Sequence, residues 1–246
     1  MNRIDKTRVL VINAISTDKH NKPRLDYLSK FIASDTELAV TNLSSGYESL
    51  EYLTQELFNS ALLIELVKQA EKDGYHGILL NCFYDPALDA AREAVSIPVV
   101  GAGEANLFLG SRLGHKFAVL ATSKKEVAVI EQHISHYHLS HCCAGVFPIG
   151  IDVPTLQSKG ITDAMTATLA DQIKKATEAG AEVLLIACTA ATGVIEVLSK
   201  LTDMPVLDPG VTAIKVTEMA ASLYHTTGIS HSKTGLYSYQ DNATFH

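Results

Sequence analysis

The sequence has no tryptophan, only four cysteines and no cysteine pair at C-x-x-C spacing. That spacing marks zinc ribbons and thioredoxin-like redox motifs, and four cysteines in 246 residues exclude a disulfide-stapled miniprotein. No apolar run approaches the ~20 residues that a membrane helix needs. The run after Arg8 is too short for the core of a secretory signal, so the chain is expected in the cytoplasm. Positive charge is also scarce: 20 basic against 27 acidic residues, spread without blocks, give a net charge of −7. Such a surface offers nothing to a phosphate backbone, so neither nucleic acid nor a membrane is an expected partner.

What is present is apolar. Hydrophobic residues make up 47% and charged residues 19% of 246, which excludes a disordered chain and supplies a large core. Short apolar runs alternate with helical stretches, the pattern of strands buried in parallel sheets with helices on their faces. The runs predict strands at Val9–Ile12, Ala39–Leu43, Gly77–Leu80, Val99–Gly101, Phe117–Ala121, Ala144–Ile149, Val183–Ile186 and Val206–Leu207. Helical periodicity predicts Leu53–Asp73, with Leu57, Ala61, Ile64 and Val67 on the buried face, and Thr162–Glu178, with Met165, Leu169 and Ile173.

The chain also repeats itself. Ala70–Cys82 aligns with Ala176–Cys188 at a constant offset of 106, and both read as helix end, glycine cap, buried strand, then cysteine. Further on, Ser96-Ile97-Pro98-Val99-Val100-Gly101 aligns with Asp203-Met204-Pro205-Val206-Leu207-Asp208 after a single inserted residue. The starts pair too, Arg8–Asn13 with Lys116–Ala121. The expected fold is α/β, with two similar lobes related by a pseudo-twofold. Each lobe has a mainly parallel sheet flanked by helices, and the active site lies in the inter-lobe cleft. The lobes are expected at 1–112 and 113–226, with the last helix, Val211–Leu223, crossing to the first lobe and a loosely held polar tail at 227–246.

Cys82 and Cys188 end matched strands, each expected directly before a helix start. Ligands of open α/β sheets bind at that edge, and a helix N-terminus lowers a thiol's pKa. Across a pseudo-twofold, the two thiols would flank one substrate carbon. One thiolate removes its proton and the opposite thiol delivers another, which is cofactor-free racemisation. Taken singly, a cysteine after an apolar strand reads as small core filler. Matched placement in two repeats favours chemistry, leaving Cys142 and Cys143 as filler.

The stretch Asn81-Cys82-Phe83-Tyr84-Asp85-Pro86-Ala87-Leu88-Asp89-Ala90-Ala91-Arg92-Glu93, followed by Pro98-Val99-Val100-Gly101-Ala102-Gly103-Glu104-Ala105, resembles the hydantoin racemase family of the Asp/Glu racemase superfamily. The similarity runs from the first strand to about Leu223. It implies two-base racemisation of 5-substituted hydantoins or allantoin without cofactor or metal, with Cys82 and Cys188 as the bases. It also implies a homo-oligomer acting on a small molecule. Two stretches depart from the family pattern where the pocket is built. Tyr84 replaces a usual glycine, and Cys188-Thr189-Ala190-Ala191-Thr192-Gly193 replaces a Cys-x-Gly-Met type element.

Around the thiols, Asn13 after the first strand and Thr122-Ser123 after its repeat partner offer donors to substrate carbonyls, or alternatively serve as turns and helix caps. The backbone N–H groups of Phe83, Tyr84, Thr189 and Ala190 are placed to stabilise an enolate-like oxygen. Asp85 reads as a cap for the following helix or a support for Tyr84, and Glu104 as a supporting group or an ordinary ion-pair partner. His133, His136, His138 and His141 before Cys142-Cys143 superficially suggest a metal site. They read better as a solvated helix end entering a strand. Gly101-Ala102-Gly103 lacks the rest of a dinucleotide fingerprint, and Asp208-Pro209-Gly210 reads as a turn. Two alternatives stay open on the same scaffold: an aspartate- or glutamate-type racemase, and a non-catalytic small-molecule binder.

Overall fold

In the computed structural model, residues 6–151, 162–190 and 194–238 are described. The first apolar runs form β1 (Thr7–Asn13), β2 (Thr36–Asn42), β3 (Gly77–Leu80) and β4 (Val99–Gly101). Between them lie α1 (Asn21–Leu28), α2 (Leu53–Lys72) and α3 (Leu88–Ala94). After α4 (Ala102–Leu113) come β5 (Phe117–Ala121), α5 (Lys124–His136), a 3-10 turn at Ser140–Cys142 and β6 (Cys143–Pro148). The chain continues through α6 (Asp163–Glu178), β7 (Val183–Ile186), α7 (Val194–Leu198), β8 (Val206–Leu207) and α8 (Pro209–Thr227).

The strands build two four-stranded parallel sheets with the same order, β2-β1-β3-β4 and β6-β5-β7-β8. The repeat holds at the level of single hydrogen bonds. Val9 pairs with Gly77 as Phe117 pairs with Val183. Ile78 N–H donates to Pro98 O at 2.9 Å, and Leu184 N–H donates to Pro205 O at 2.9 Å. The helix before each central strand ends in a left-handed glycine, Gly74 (φ 76°) and Gly180 (φ 86°), a conformation that costs a side chain about 1–2 kcal/mol. The central strands are buried on both faces, and each fully buried Leu or Ile contributes about 1.5–3 kcal/mol relative to exposure.

Contacts divide the chain into two units: Met1–Asn81 with Asp85–Gly101 and Ile214–His246, and Cys82–Tyr84 with Ala102–Ala213. The expected break at 112/113 therefore moves. Helix α4 joins the second unit because Gly110 lies so close to Leu185 that a Cβ there would be 2.8 Å from its Cδ1. Cys82–Tyr84 joins the second unit as well. Phe83 packs among Leu107, Phe117, Val119, Ile130 and Ile134, and Tyr84 meets the His133 ring edge-on at 6.3 Å. The division between the units falls within α8, at Ile214.

Several local expectations are corrected. On α2 the buried stripe is Asn59, Leu63, Val67 and Ala70, while Leu57 is 76% exposed. Asn59 turns the helix, because its amide latches the preceding loop: Nδ2 donates to Ala14 O (2.9 Å) and Tyr47 O (3.0 Å), and Oδ1 accepts from Tyr47 N–H (2.9 Å). Asp208-Pro209-Gly210 opens α8 instead of turning. Proline suits a first helical position, and Asp208 Oδ1 accepts from Val211 N–H at 2.8 Å.

The tail is also tied down, as far as it is described. His231 Nε2 accepts from Val99 N–H at 3.0 Å, Lys233 Nζ donates to the carbonyls of Arg92 and Glu93 at the end of α3, and Tyr237 Oη donates to Asp89 Oδ1 at 3.0 Å. An ammonium on the last carbonyls of a helix satisfies groups that the helix itself cannot.

Asp85 is not the N-cap residue of α3. The N-cap is Ala87, without a side-chain cap bond. Asp85 (φ 48°) and Ala87 (φ 56°) both adopt left-handed backbone, and the Asp85 carbonyl accepts from Leu88 N–H at 3.1 Å. The Asp85 carboxylate lies over Gly101, where any Cβ would collide with it and with Leu88 Cδ2. Gly101→Ala is therefore expected to cost about 1–3 kcal/mol of stability, read as a lower denaturant midpoint. An unchanged midpoint would contradict the packing at Asp85.

His133 supplies a pH dependence. Burial, and second the nearby His136, hold its pKa below the ordinary value, and its Nδ1 is buried without a hydrogen-bond partner. The folded chain thus favours the neutral ring. Its contribution is complete above the unfolded value of about 6.5 and is lost as pH falls below it. Melting temperature should fall between pH 7.5 and 5.5, and His133→Phe should flatten part of that fall; an identical slope in the variant would refute the assignment.

Candidate active site

The carboxyl edges of the two sheets are built alike. Each central strand donates one last backbone bond past its end: Asn81 N–H to Ile12 O and Ala187 N–H to Leu120 O, both at 2.9 Å. The next residue in each case is a cysteine, Cys82 or Cys188, freed from the ladder by that termination. Contrary to the expectation from sequence, neither is followed directly by a helix. Helix α3 starts at Leu88 and α7 at Val194, six residues beyond each thiol. Of that stretch after Cys188, Ala191, Thr192 and Gly193 lie outside the described residues.

The two thiols sit in different surroundings. Cys82 is half-buried. Cys188 is 6% exposed and belongs to an apolar cluster with Ala118, Leu120, Ile186 and Leu198, against which Ala190 also packs. Both belong to the second unit. Cys142 and Cys143 are half-buried against the cluster that holds Phe83, and burial pushes the Cys143 thiol up. A raised thiol is a poor nucleophile and proton acceptor at neutral pH.

The other sequence candidates divide into groups. Asn13 ends β1, is buried, and has both ends of its amide in use: Oδ1 accepts from Asn81 Nδ2 and Nδ2 donates to Asn21 Oδ1, each at 2.8 Å. Ser123 is the N-cap of α5, its Oγ accepting from Glu126 N–H at 3.4 Å. Glu126, buried, returns Oε2 to Thr122 N–H at 2.7 Å, and the Thr122 carbonyl accepts from Ile151 N–H at 3.0 Å. Thr122 and Ser123 thus have a structural role in a capping arrangement. The side chains of Phe83 and Tyr84 are buried, leaving their backbone as the polar part, and Thr189 and Ala190 are half-buried. Glu104 is half-buried in the first turn of α4.

The sequence reading missed the partners of Asn13, namely Asn21 and Asn81, and Asn42, which Asn21 bonds in turn. A signal was there: β1 and β2 end in asparagine, and a third asparagine follows β3. Among the described residues, no group of three His, Cys, Asp or Glu side chains could hold a metal ion. His136, His138 and His141 are exposed on the helix end and the turn after it, whereas His133 is drawn in against Tyr84.

Comparisons with known proteins agree with the fold and give the family. The chain is 27% identical over 230 residues to a hydantoin racemase of Rhizobium meliloti, covering 93% of each protein. To a hydantoin racemase of Paenarthrobacter aurescens it is 29% identical over 232 residues, 92% of this chain and 95% of that one. In fold it matches allantoin racemase from Klebsiella pneumoniae with a TM-score of 0.86 at 24% identity, over 98% of this chain and 96% of that one. The family model for Asp/Glu/hydantoin racemases matches residues 9–217, most of both sheets and both cysteine loops, and the chain belongs to that family.

Proposed function

We propose that the protein racemises 5-substituted hydantoins or allantoin by a two-thiol mechanism without cofactor or metal. The observation that carries this reading is the pair of cysteines, Cys82 and Cys188, each one residue past the last backbone bond of a central strand in a repeated hydrogen-bond pattern. The names of the hydantoin and allantoin racemases to which the chain is similar support the substrate class.

In the proposed reaction one cysteine is a thiolate and takes the C5 proton. The C5–H bond breaks and its electron pair moves onto the adjoining carbonyl oxygen as an enolate. Backbone N–H groups of Phe83, Tyr84, Thr189 and Ala190 stabilise that oxygen. The other cysteine breaks its S–H bond and delivers a proton to the opposite face of C5, becoming the thiolate in turn. Running in reverse, the two exchange roles. A hydantoin suits this site better than a free amino acid, because its C5 proton is acidified by the ring carbonyl and asks less of a thiolate.

The proposal includes a homo-oligomer in the reducing cytoplasm, where thiols persist, acting on a small molecule with no nucleic-acid or membrane partner. No described helix is long and apolar enough to cross a membrane. Racemisation is followed by loss of optical rotation with a 5-substituted hydantoin, allantoin, aspartate and glutamate in parallel. The expected result is activity on a cyclic ureide, undiminished by EDTA, and activity on aspartate or glutamate alone would contradict the substrate class. Cys82→Ser and Cys188→Ser should each lower racemisation by about 10²–10⁴-fold while retaining C5–H exchange of opposite enantiomers. Wild-type racemisation in either variant would overturn the two-base assignment.

A further inference from the structure

The amides at the carboxyl edge of the first sheet form a single directed chain. Asn81 Nδ2 donates to Asn13 Oδ1 (2.8 Å), Asn13 Nδ2 to Asn21 Oδ1 (2.8 Å), Asn21 Nδ2 to Asn42 Oδ1 (2.6 Å), and Asn42 Nδ2 to the Leu43 carbonyl (2.7 Å). Its direction is forced. A carbonyl only accepts, so Asn42 must present its NH₂ to Leu43 and its oxygen to Asn21, and the same requirement passes along to Asn81. Flipping any one amide would set oxygen against oxygen or NH₂ against NH₂. The orientation of Asn81, the residue before Cys82, is thus set by a carbonyl on another strand.

The repeat shows that the fold does not require these amides. Asn13 is in register with Asn42 on β1 and β2, and their counterparts Ala121 and Pro148 are in register on β5 and β6. Asn81 makes the backbone bond to Ile12 that Ala187 makes to Leu120. The second sheet therefore builds the same edge with Ala121, Pro148 and Ala187. Three asparagines at the edge of the first sheet, linked through Asn21 of α1, against three apolar residues in the second, point to a task at one thiol that the other does not share.

We infer that Asn21 and Asn42 are positioning residues for racemisation: through Asn13 they lock the Asn81 amide and the start of the Cys82 loop, so that proton transfer at Cys82, and not at Cys188, depends on them. The inference rests on the proposed two-thiol racemisation. Asn21 and Asn42 act at a distance, Asn21 from the first turn of α1 and Asn42 from the end of β2. The effect of Asn21 passes through two intervening amides, Asn13 and Asn81, and that of Asn42 through three.

The test uses the full chain with Asn42→Ala and, as a second variant that keeps the side chain's branched shape without its hydrogen bonds, Asn21→Leu. The first readout needs no substrate: the pH profile of iodoacetamide alkylation at Cys82 and at Cys188, resolved by peptide mass spectrometry. Both variants should change the Cys82 rate by about threefold or more and leave the Cys188 profile in place. An unchanged Cys82 profile, or equal changes at both thiols as general loosening would give, overturns the inference. The second readout is C5–H exchange in Cys188→Ser and Cys82→Ser backgrounds. Adding Asn42→Ala should lower Cys82-dependent exchange about tenfold and leave Cys188-dependent exchange within about twofold. Equal losses contradict positioning. Absence of exchange even in the unsubstituted chain would count against the racemase reading itself, and the alkylation profiles would still decide the role of the amide chain.

Discussion

Two backbone hydrogen bonds, Asn81 N–H to Ile12 O and Ala187 N–H to Leu120 O, set the position of everything at the candidate site. Each is the last bond of a central strand, buried and flanked by parallel neighbours, and each leaves the next residue outside the ladder. A strand one residue longer would draw the cysteine into the sheet and point it to one face. One residue shorter, and the cysteine would sit in a loop with no fixed origin. Parallel pairing requires register to be shared across four strands, so a thiol placed this way inherits the rigidity of the whole sheet.

The surroundings of the two thiols differ between the copies. After Cys82 the chain passes through two left-handed non-glycine residues, Asp85 and Ala87, with the Asp85 carboxylate packed over Gly101. Such backbone costs of order 1–3 kcal/mol per residue and persists only where the surroundings hold it. Phe83 and Tyr84, anchored in the second unit's core, supply that hold at one end, and the Lys233 and Tyr237 contacts to α3 supply it at the other. Cys188 instead belongs to an apolar cluster. The duplicated framework therefore places its two cysteines in unlike surroundings.

Much of this was legible in the sequence, because the repeat aligns residues whose backbone bonds proved equivalent. Five of the eight strands, including both that precede a cysteine, lie where the apolar runs place them. Legibility failed where a polar side chain did the work of an apolar one or acted across a long separation. Asn59 displaced Leu57 from the buried face of α2 because its amide satisfies three backbone groups of a neighbouring loop. Pro209 looked like a turn residue, although a first helical turn accepts it equally well. The tail appeared loose because hydrogen bonds from Lys233 to carbonyls some 140 residues earlier leave no local pattern. The asparagine chain escaped for the same reason: its links join three strand ends and a helix start.

The central claim, that two monoprotic thiols work on opposite faces of one carbon, is tested most directly by isotope content in a single direction. One enantiomer of a 5-substituted hydantoin, with protium at C5, is incubated with the enzyme in deuterium oxide. The two enantiomers are then separated within the first few per cent of conversion and weighed by mass spectrometry against an enzyme-free blank. Two opposed thiols predict that the newly formed enantiomer is fully deuterated at C5 while the remaining starting enantiomer keeps its protium. Protium carried into the new enantiomer, or deuterium entering both enantiomers at equal rates, would contradict them.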